Sequence, residues 1–258
     1  MVSFRIVDQQ VLKNVILPIF DKYPLFTRKY FDYQKFKEAL NLNHTPNITS
    51  NDRNSMVELY LEKSVAIWNK APGSFFLSPW LYTHLNSMEL MYLKSEMDKF
   101  YKTQDIQLLT GLVKLYKLES IVPKYWIIGF IEVKGSFDLV NKSETRIVHG
   151  FSITQKEDPL LLSILKSVFH ISTQVKFKSF QKSDVYNNFY ILDTTNSRAI
   201  ENIIYYFSGK DRNKTSMKGL KGLEFRIWAR SYVKYKGNYE KLYRIRKIIR
   251  NLREKLKE

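Results

Sequence analysis

The stretch Pro123–Phe137, PKYWIIGFIEVKGSF, decides the fold. Pro123 suits the first turn of a helix, where its missing N–H would have had no partner. An apolar helix then runs through Lys134, with polar groups, Glu132 and Lys134, only in its last turn. Gly129 is a small residue inside that apolar run, and such residues let another backbone approach closely. Gly135 offers the left-handed conformation that commonly stops a helix, and Ser136-Phe137 opens a strand. On chemistry alone, an ordinary buried helix with a glycine stop accounts for the stretch equally well.

Downstream the pattern continues as a compact unit. SFDLV, a turn around Lys142 to Thr145, and RIVHGFSIT predict a hairpin. Asp158-Pro159 supplies an N-cap and a first helical residue for PLLLSILKSVFH. STQVKFKSF and NNFYILD read as two more strands, and SRAIENIIYYF as a closing helix. The order over 123–207 is α-β-β-α-β-β-α, an α+β unit with its helices on one sheet face. In STQVKFKSF the alternation puts Val175 and Phe177 on one side, Lys176 and Lys178 on the other.

Upstream, SFRIV reads as a strand and DQQVLKNVILPIF as a helix with Val11, Val15 and Ile19 on one face. FDYQKFKEAL continues as helix, NHTPNITSNDRN as loop. Helices are expected over 55–70, roughly 80–101 and 104–118, with Met88, Met91 and Met97 as core residues. Two segments repeat at a spacing near 190 residues. LKNVILPIF (12–20) resembles IENIIYYF (200–207). KYFDYQKFKEAL (29–40) aligns with KGLEFRIWARSY (221–232), Asp32 with Glu224, Tyr33 with Phe225, Phe36 with Trp228. The expected organisation is therefore residues 1–118 as the remainder of a first copy plus a helical linker, and 119–258 as a complete second copy.

Charge points to a partner class. Forty-two Lys and Arg against 25 Asp and Glu give +17, the footprint of a protein that binds a phosphate backbone. No cysteine is present, which excludes disulfides, thiolate zinc sites and cysteine nucleophiles. The four histidines show no ligand spacing, and the longest apolar runs are too short and too charged to span a membrane. The basic loop Lys210, Arg212, Lys214, Lys218, Lys221 and the sheet lysines Lys176 and Lys178 are the candidate nucleic-acid contacts. NYEKLYRIRKIIRNLREKLKE predicts an amphipathic helix with Leu242, Ile245, Ile249, Leu252 and Leu256 on one face and a basic face opposite.

Ile127 to Gly135, IIGFIEVKG, followed by Ser136-Phe137, resembles the second LAGLIDADG motif of homing endonucleases and intron maturases. DKYPLFTRKYFDYQKFKEA and KGLEFRIWAR are similar to flanking phrases of fungal mitochondrial group I intron reading frames. The resemblance implies two pseudo-symmetric αββαββα repeats with saddle-shaped antiparallel sheets, here with the first repeat incomplete. It implies motif helices packed along their glycines, Gly129 and Gly135, and sheets lying over the major groove. Acidic groups at the helix ends would hold Mg²⁺ for metal-assisted hydrolysis.

Two departures stand against that chemistry. Lys134 occupies the position of the metal-binding acid, and an ammonium has no lone pair for Mg²⁺. Glu132, the nearest acid, is two residues away and turned from it by about 100° per residue. Residues 1–122 hold no first motif; TGLVKLY lacks the acids. Lys218 is the candidate for a lysine assisting at the active site. The resemblance thus implies an intron-encoded protein binding double-stranded DNA at an intron insertion site, with cleavage in doubt and Mg²⁺ needed only for a nuclease. The alternative is a maturase binding group I intron RNA; a DNA-binding regulator is a third class. The expected location is the mitochondrion. A full-length protein would act as a monomer, a truncated one with a partner.

Overall fold

The computed structural model describes residues 5–26, 29–42, 49–51, 54, 58, 81, 84–156, 158–182, 185–208 and 215–254. The chain divides into two compact units, Val2–Asp105 and Ile106–Glu258.

In the first unit, α1 (Gln9–Val11), a π-helical turn (Leu12–Ile16) and α2 (Leu17–Lys22) form one continuous helical path, and α3 (Lys29–Leu42) follows. Asp8 caps the start, its carboxylate accepting the Val11 N–H at 2.8 Å. The π-helical turn holds one residue more than an α-helical turn would over the same stretch. Leu17, Tyr33 and Leu40 form a small core. The Tyr33 hydroxyl donates to Asp21, which also receives Lys37 at 2.7 Å. The expected strand at SFRIV is not formed at Arg5–Val7, and Met1–Phe4 and most of 55–70 lie outside the described residues. Helix α4 (Ser87–Thr103) begins with a capping box between Asn86 and Glu89. Met97 is in its core, but Met88 and Met91 are exposed, contrary to expectation, because they lie on the outer side of the helix.

The second unit opens with α5 (Ile106–Tyr116), which packs against α7 (Pro159–Val168), and a short 3-10 turn at Leu118–Ser120. Next come α6 (Lys124–Lys134), β1 (Gly135–Ser143), β2 (Arg146–Gln155), α7, β3 (Lys176–Lys182), β4 (Val185–Thr194) and α8 (Ser197–Ser208). The α-β-β-α-β-β-α order is as the sequence predicts. The strands form one antiparallel sheet in the order β1-β2-β4-β3, so β1 and β3 are its edges. Helices α9 (Gly219–Tyr235) and α10 (Tyr239–Glu254) complete the unit.

One sheet face carries the core. Phe137, Phe151, Phe169, Phe207, Phe225 and Trp228 are all fully buried, and their rings meet edge-on or tilted at 5.1–6.5 Å, an arrangement that adds to the area they bury. The Trp228 indole N–H donates to the Asp138 carbonyl at 3.0 Å, pinning α9 to the edge strand β1. Phe177 is half exposed, not buried as its alternation predicts, since β3 is an edge strand, and its ring meets that of Tyr190 at 5.3 Å. The repeat-related positions differ in burial. Ile203 and Trp228 are fully buried, whereas Val15 is 50% and Phe36 43% exposed.

Candidate nucleic-acid interface

The site is built where α6 runs into β1. Gly135 does not take the left-handed conformation expected of a helix stop. It is extended, at φ −76° and ψ 148°, and passes directly into the strand. Glycine is needed there for space. A Cβ would lie 2.6 Å from Ile131 Cγ2 and 2.8 Å from the Ile131 carbonyl oxygen. At Gly129, by contrast, a Cβ would meet nothing within 4 Å. Tyr125, Gly129 and Val133, four residues apart, form an exposed stripe along α6.

The last turn of α6 holds Glu132 and Lys134. The Glu132 carboxylate accepts the backbone N–H of Lys218, the residue that caps α9. A carboxylate suits the unsatisfied N–H groups and positive end of a helix N-terminus. Lys218 is thereby brought beside Glu132, and its own side chain is exposed. Lys134 is exposed, and among the described residues it makes no ion pair.

Beyond the motif, Arg253 of α10 reaches across to the start of β1. It donates to Asp138 Oδ1 at 2.8 Å, to the Phe137 carbonyl at 2.8 Å and to Glu224 at 2.5 Å. Ser136 donates to the other Asp138 oxygen at 2.8 Å. Glu224 is buried and also receives Lys221 at 3.2 Å, so the Lys221 ammonium is turned inward to it. Burial works against the Arg253 charge, but the hydrogen bonds to Glu224 and Asp138 outweigh it and raise the Arg253 pKa. This cluster is not legible in the sequence, because Ser136, Glu224 and Arg253 are far apart along the chain and Arg253 reads as one more basic residue of a helix.

These donors do not fit Mg²⁺. A magnesium site takes carboxylate oxygens with room for water. Here the acid position holds an ammonium, Glu132 is committed to a helix N-terminus, and Asp138 and Glu224 are both engaged by Arg253, Glu224 by Lys221 as well. Among the described residues no group of three or more potential ligands gathers.

The second sheet face is the binding candidate. The register aligns Ser136 with Ser152, Ser152 with Asp193, and Thr154 with Ile191, which in turn pairs with Lys176. These residues, with Asp138 and Lys178, share the face opposite the aromatic core. Lys176 pairs with Asp193 at 3.0 Å, both well exposed, so the pair contributes little and is open to exchange with phosphate. Lys178 is exposed and makes no ion pair among the described residues. Lys210, Arg212 and Lys214 lie outside the described residues.

His149, one of the histidines with no ligand spacing, is buried under α9. Its Nε2 hydrogen-bonds Ser231 Oγ at 2.8 Å, and its ring packs edge-on to Trp228 and Tyr232. Desolvation, with Lys236 nearby and despite a backbone hydrogen bond involving Trp228, pushes its pKa down to about 4. Its role is structural.

Comparison with known proteins agrees with this architecture. A family model described as LAGLIDADG endonuclease matches residues 1–40. A probable intron-encoded endonuclease, Cox1-I1b of Schizosaccharomyces pombe, is 33% identical over 98% of this chain and 53% of its own length. The probable intron-encoded endonuclease aI3 of Debaryomyces hansenii is 26% identical over 84% of this chain and 28% of its own. The chain thus spans about half, or less, of the length of these relatives. Among solved structures, the I-LtrWI LAGLIDADG homing endonuclease bound to target DNA is 18% identical. It superposes with a TM-score of 0.56 over 94% of this chain and 72% of that one. Meganuclease I-SmaMI bound to uncleaveable DNA is 22% identical, with a TM-score of 0.53 over 96% and 73%. The sheet with its helices on one face is the fold of those endonucleases, and in sequence the chain is similar to LAGLIDADG endonucleases.

Proposed function

We propose that this chain binds double-stranded DNA on the open face of its sheet and does not hydrolyse it through its own motif. The observation that carries the reading is the end of α6, where Lys134 stands exposed and Glu132 is held by the Lys218 N–H. A ribbon with an apolar back and a basic front fits a major groove. Lys176 and Lys178 are the groove contacts, and Lys210, Arg212, Lys214 and Lys218 the backbone contacts. Lys221 serves that role less directly, through its hold on Glu224. The solved relatives' complexes with DNA support the choice of partner. The relatives' descriptions as intron-encoded, and a match to a mitochondrial protein of Saccharomyces cerevisiae, support an intron origin and a mitochondrial location.

Residues 1–118 are read as the remainder of a first repeat with its linker, and 119–258 as the second. The family match at 1–40 and the half-exposed equivalents of buried positions support this division. The second reading is a maturase that stabilises folded intron RNA. Lys134 favours it, since such a role needs no metal ligand. Binding measured by mobility shift tests both readings. If about six phosphates are neutralised, log affinity falls against log salt with a slope near −5 on duplex DNA. A slope near zero overturns the binding claim, and preference for intron RNA over the insertion-site duplex selects the maturase.

A further inference from the structure

Near its end, strand β3 carries an apolar residue that neither the core nor the basic face accounts for. Lys176, Lys178 and Phe180 alternate onto the open face of the sheet, and β4 sets Ile191 opposite Lys176 and Phe189 opposite Lys178. Phe180 and Phe189 are diagonal neighbours on that face, and their rings meet edge-on at 5.9 Å. Phe189 is half-buried, but Phe180 remains 51% exposed. Among the described residues it is the only large apolar side chain of that face that is exposed. The contact with Phe189 braces the hairpin and leaves the rest of the Phe180 ring in water.

The register fixes where this pair stands relative to the motif. Lys176 pairs with Ile191 and Ile191 with Thr154, whose neighbour Ile153 pairs with Gly135. Lys176 is therefore close to level with the junction of α6 and β1. Phe180 lies further along β3 by about 13 Å, at about 3.3 Å per residue. Base pairs rise about 3.4 Å each, so a strand lying along the groove carries the ring about four base pairs outward from Lys176.

A phenyl ring has no hydrogen bond to offer. Laid against a base edge of donors and acceptors, it would strip those groups of water and return nothing. The apolar group that a base presents in the major groove is the C5-methyl of thymine. Lys178, opposite Phe189, and Lys176 supply the charge that holds a duplex over the pair.

We propose that Phe180, braced by Phe189, is a specificity-determining residue that packs on thymine methyl groups, so that the outer end of the sheet selects T·A pairs about four steps from the motif. This role rests on the reading of the sheet face as the DNA-binding surface.

In the test, the full chain and Phe180→Thr each select bound molecules from DNA duplexes of random sequence. The wild-type chain is expected to enrich T·A at adjacent pairs, and Phe180→Thr to lose that preference alone. In the selected duplex, deoxyuridine, which lacks only the methyl group, then replaces those thymines. Fluorescence anisotropy is expected to show wild-type binding weakened about fourfold per methyl removed, and Phe180→Thr unaffected. Threonine suits an edge strand, and the uracil duplex tests the wild-type protein with no substitution in it. Wild-type binding indifferent to uracil, or an equal loss in Phe180→Thr, overturns the proposal while duplex binding stands. A change of oligomeric state in Phe180→Thr, with the wild-type chain indifferent to uracil, overturns it too and assigns the pair to a contact between copies. Absence of binding to any duplex is the separate outcome in which the sheet-face reading fails, and this role with it.

Discussion

Glu132 accepts the backbone N–H of Lys218, eighty-six residues away, and so ties the end of the motif helix to the start of α9. The one acid of the motif is a cap for another helix. Removing it by Glu132→Ala leaves that N–H without its charged acceptor and is expected to destabilise the domain by about 1.5 kcal/mol. Chemical denaturation measures this. An unchanged midpoint would show that the carboxylate is free, and would reopen it as a ligand.

The two motif glycines are expected to respond oppositely. Gly135→Ala drives a Cβ into Ile131 and costs about 1–3 kcal/mol. Gly129→Ala fills open space in a helix and stabilises the chain by up to about 1 kcal/mol. Thermal melts of both variants check the contrast. Destabilisation by Gly129→Ala would mean that another element is packed on that face in solution.

Arg253→Leu strands the buried Glu224 with Lys221 as its remaining partner. The expected cost is about 3 kcal/mol, most of it recovered in Arg253→Leu/Glu224→Leu. Equal destabilisation by the single and double variants would contradict the pairing.

His149 makes stability depend on pH. Its folded pKa, about 4, lies below the ordinary 6.5, so the unfolded chain binds the extra proton between these values. Its contribution is complete above about pH 6.5 and is lost as pH falls toward 4, to a limit of about 3 kcal/mol. His149→Phe should flatten the stability profile across that window. An identical slope in the variant would place the titration elsewhere.

The fold was largely legible in the sequence because its signals are local. The Asp158-Pro159 helix start and the two hairpins follow from neighbouring residues. The sequence misleads where the path of the backbone and the packing around a residue decide the outcome. Gly135 resembles a helix stop in isolation, and only the position of Ile131 shows it to be a steric requirement. Phe177 alternates like a core residue but sits on an edge strand. Met88 and Met91 are apolar but lie on the outer side of α4. At the site, the sequence shows Lys134 where the resemblance calls for an acid, with Glu132 two residues before it. The Lys218 contact and the Arg253 clamp were not legible, since nothing in either segment specifies its partner.

The central claim is that the chain holds nucleic acid without cutting it. The most direct measurement incubates the purified chain and Mg²⁺ with a supercoiled plasmid carrying the insertion site of its intron, with binding followed in parallel. A salt-dependent mobility shift and no linear product are expected. Linear plasmid that appears only with both Mg²⁺ and the chain would contradict the claim.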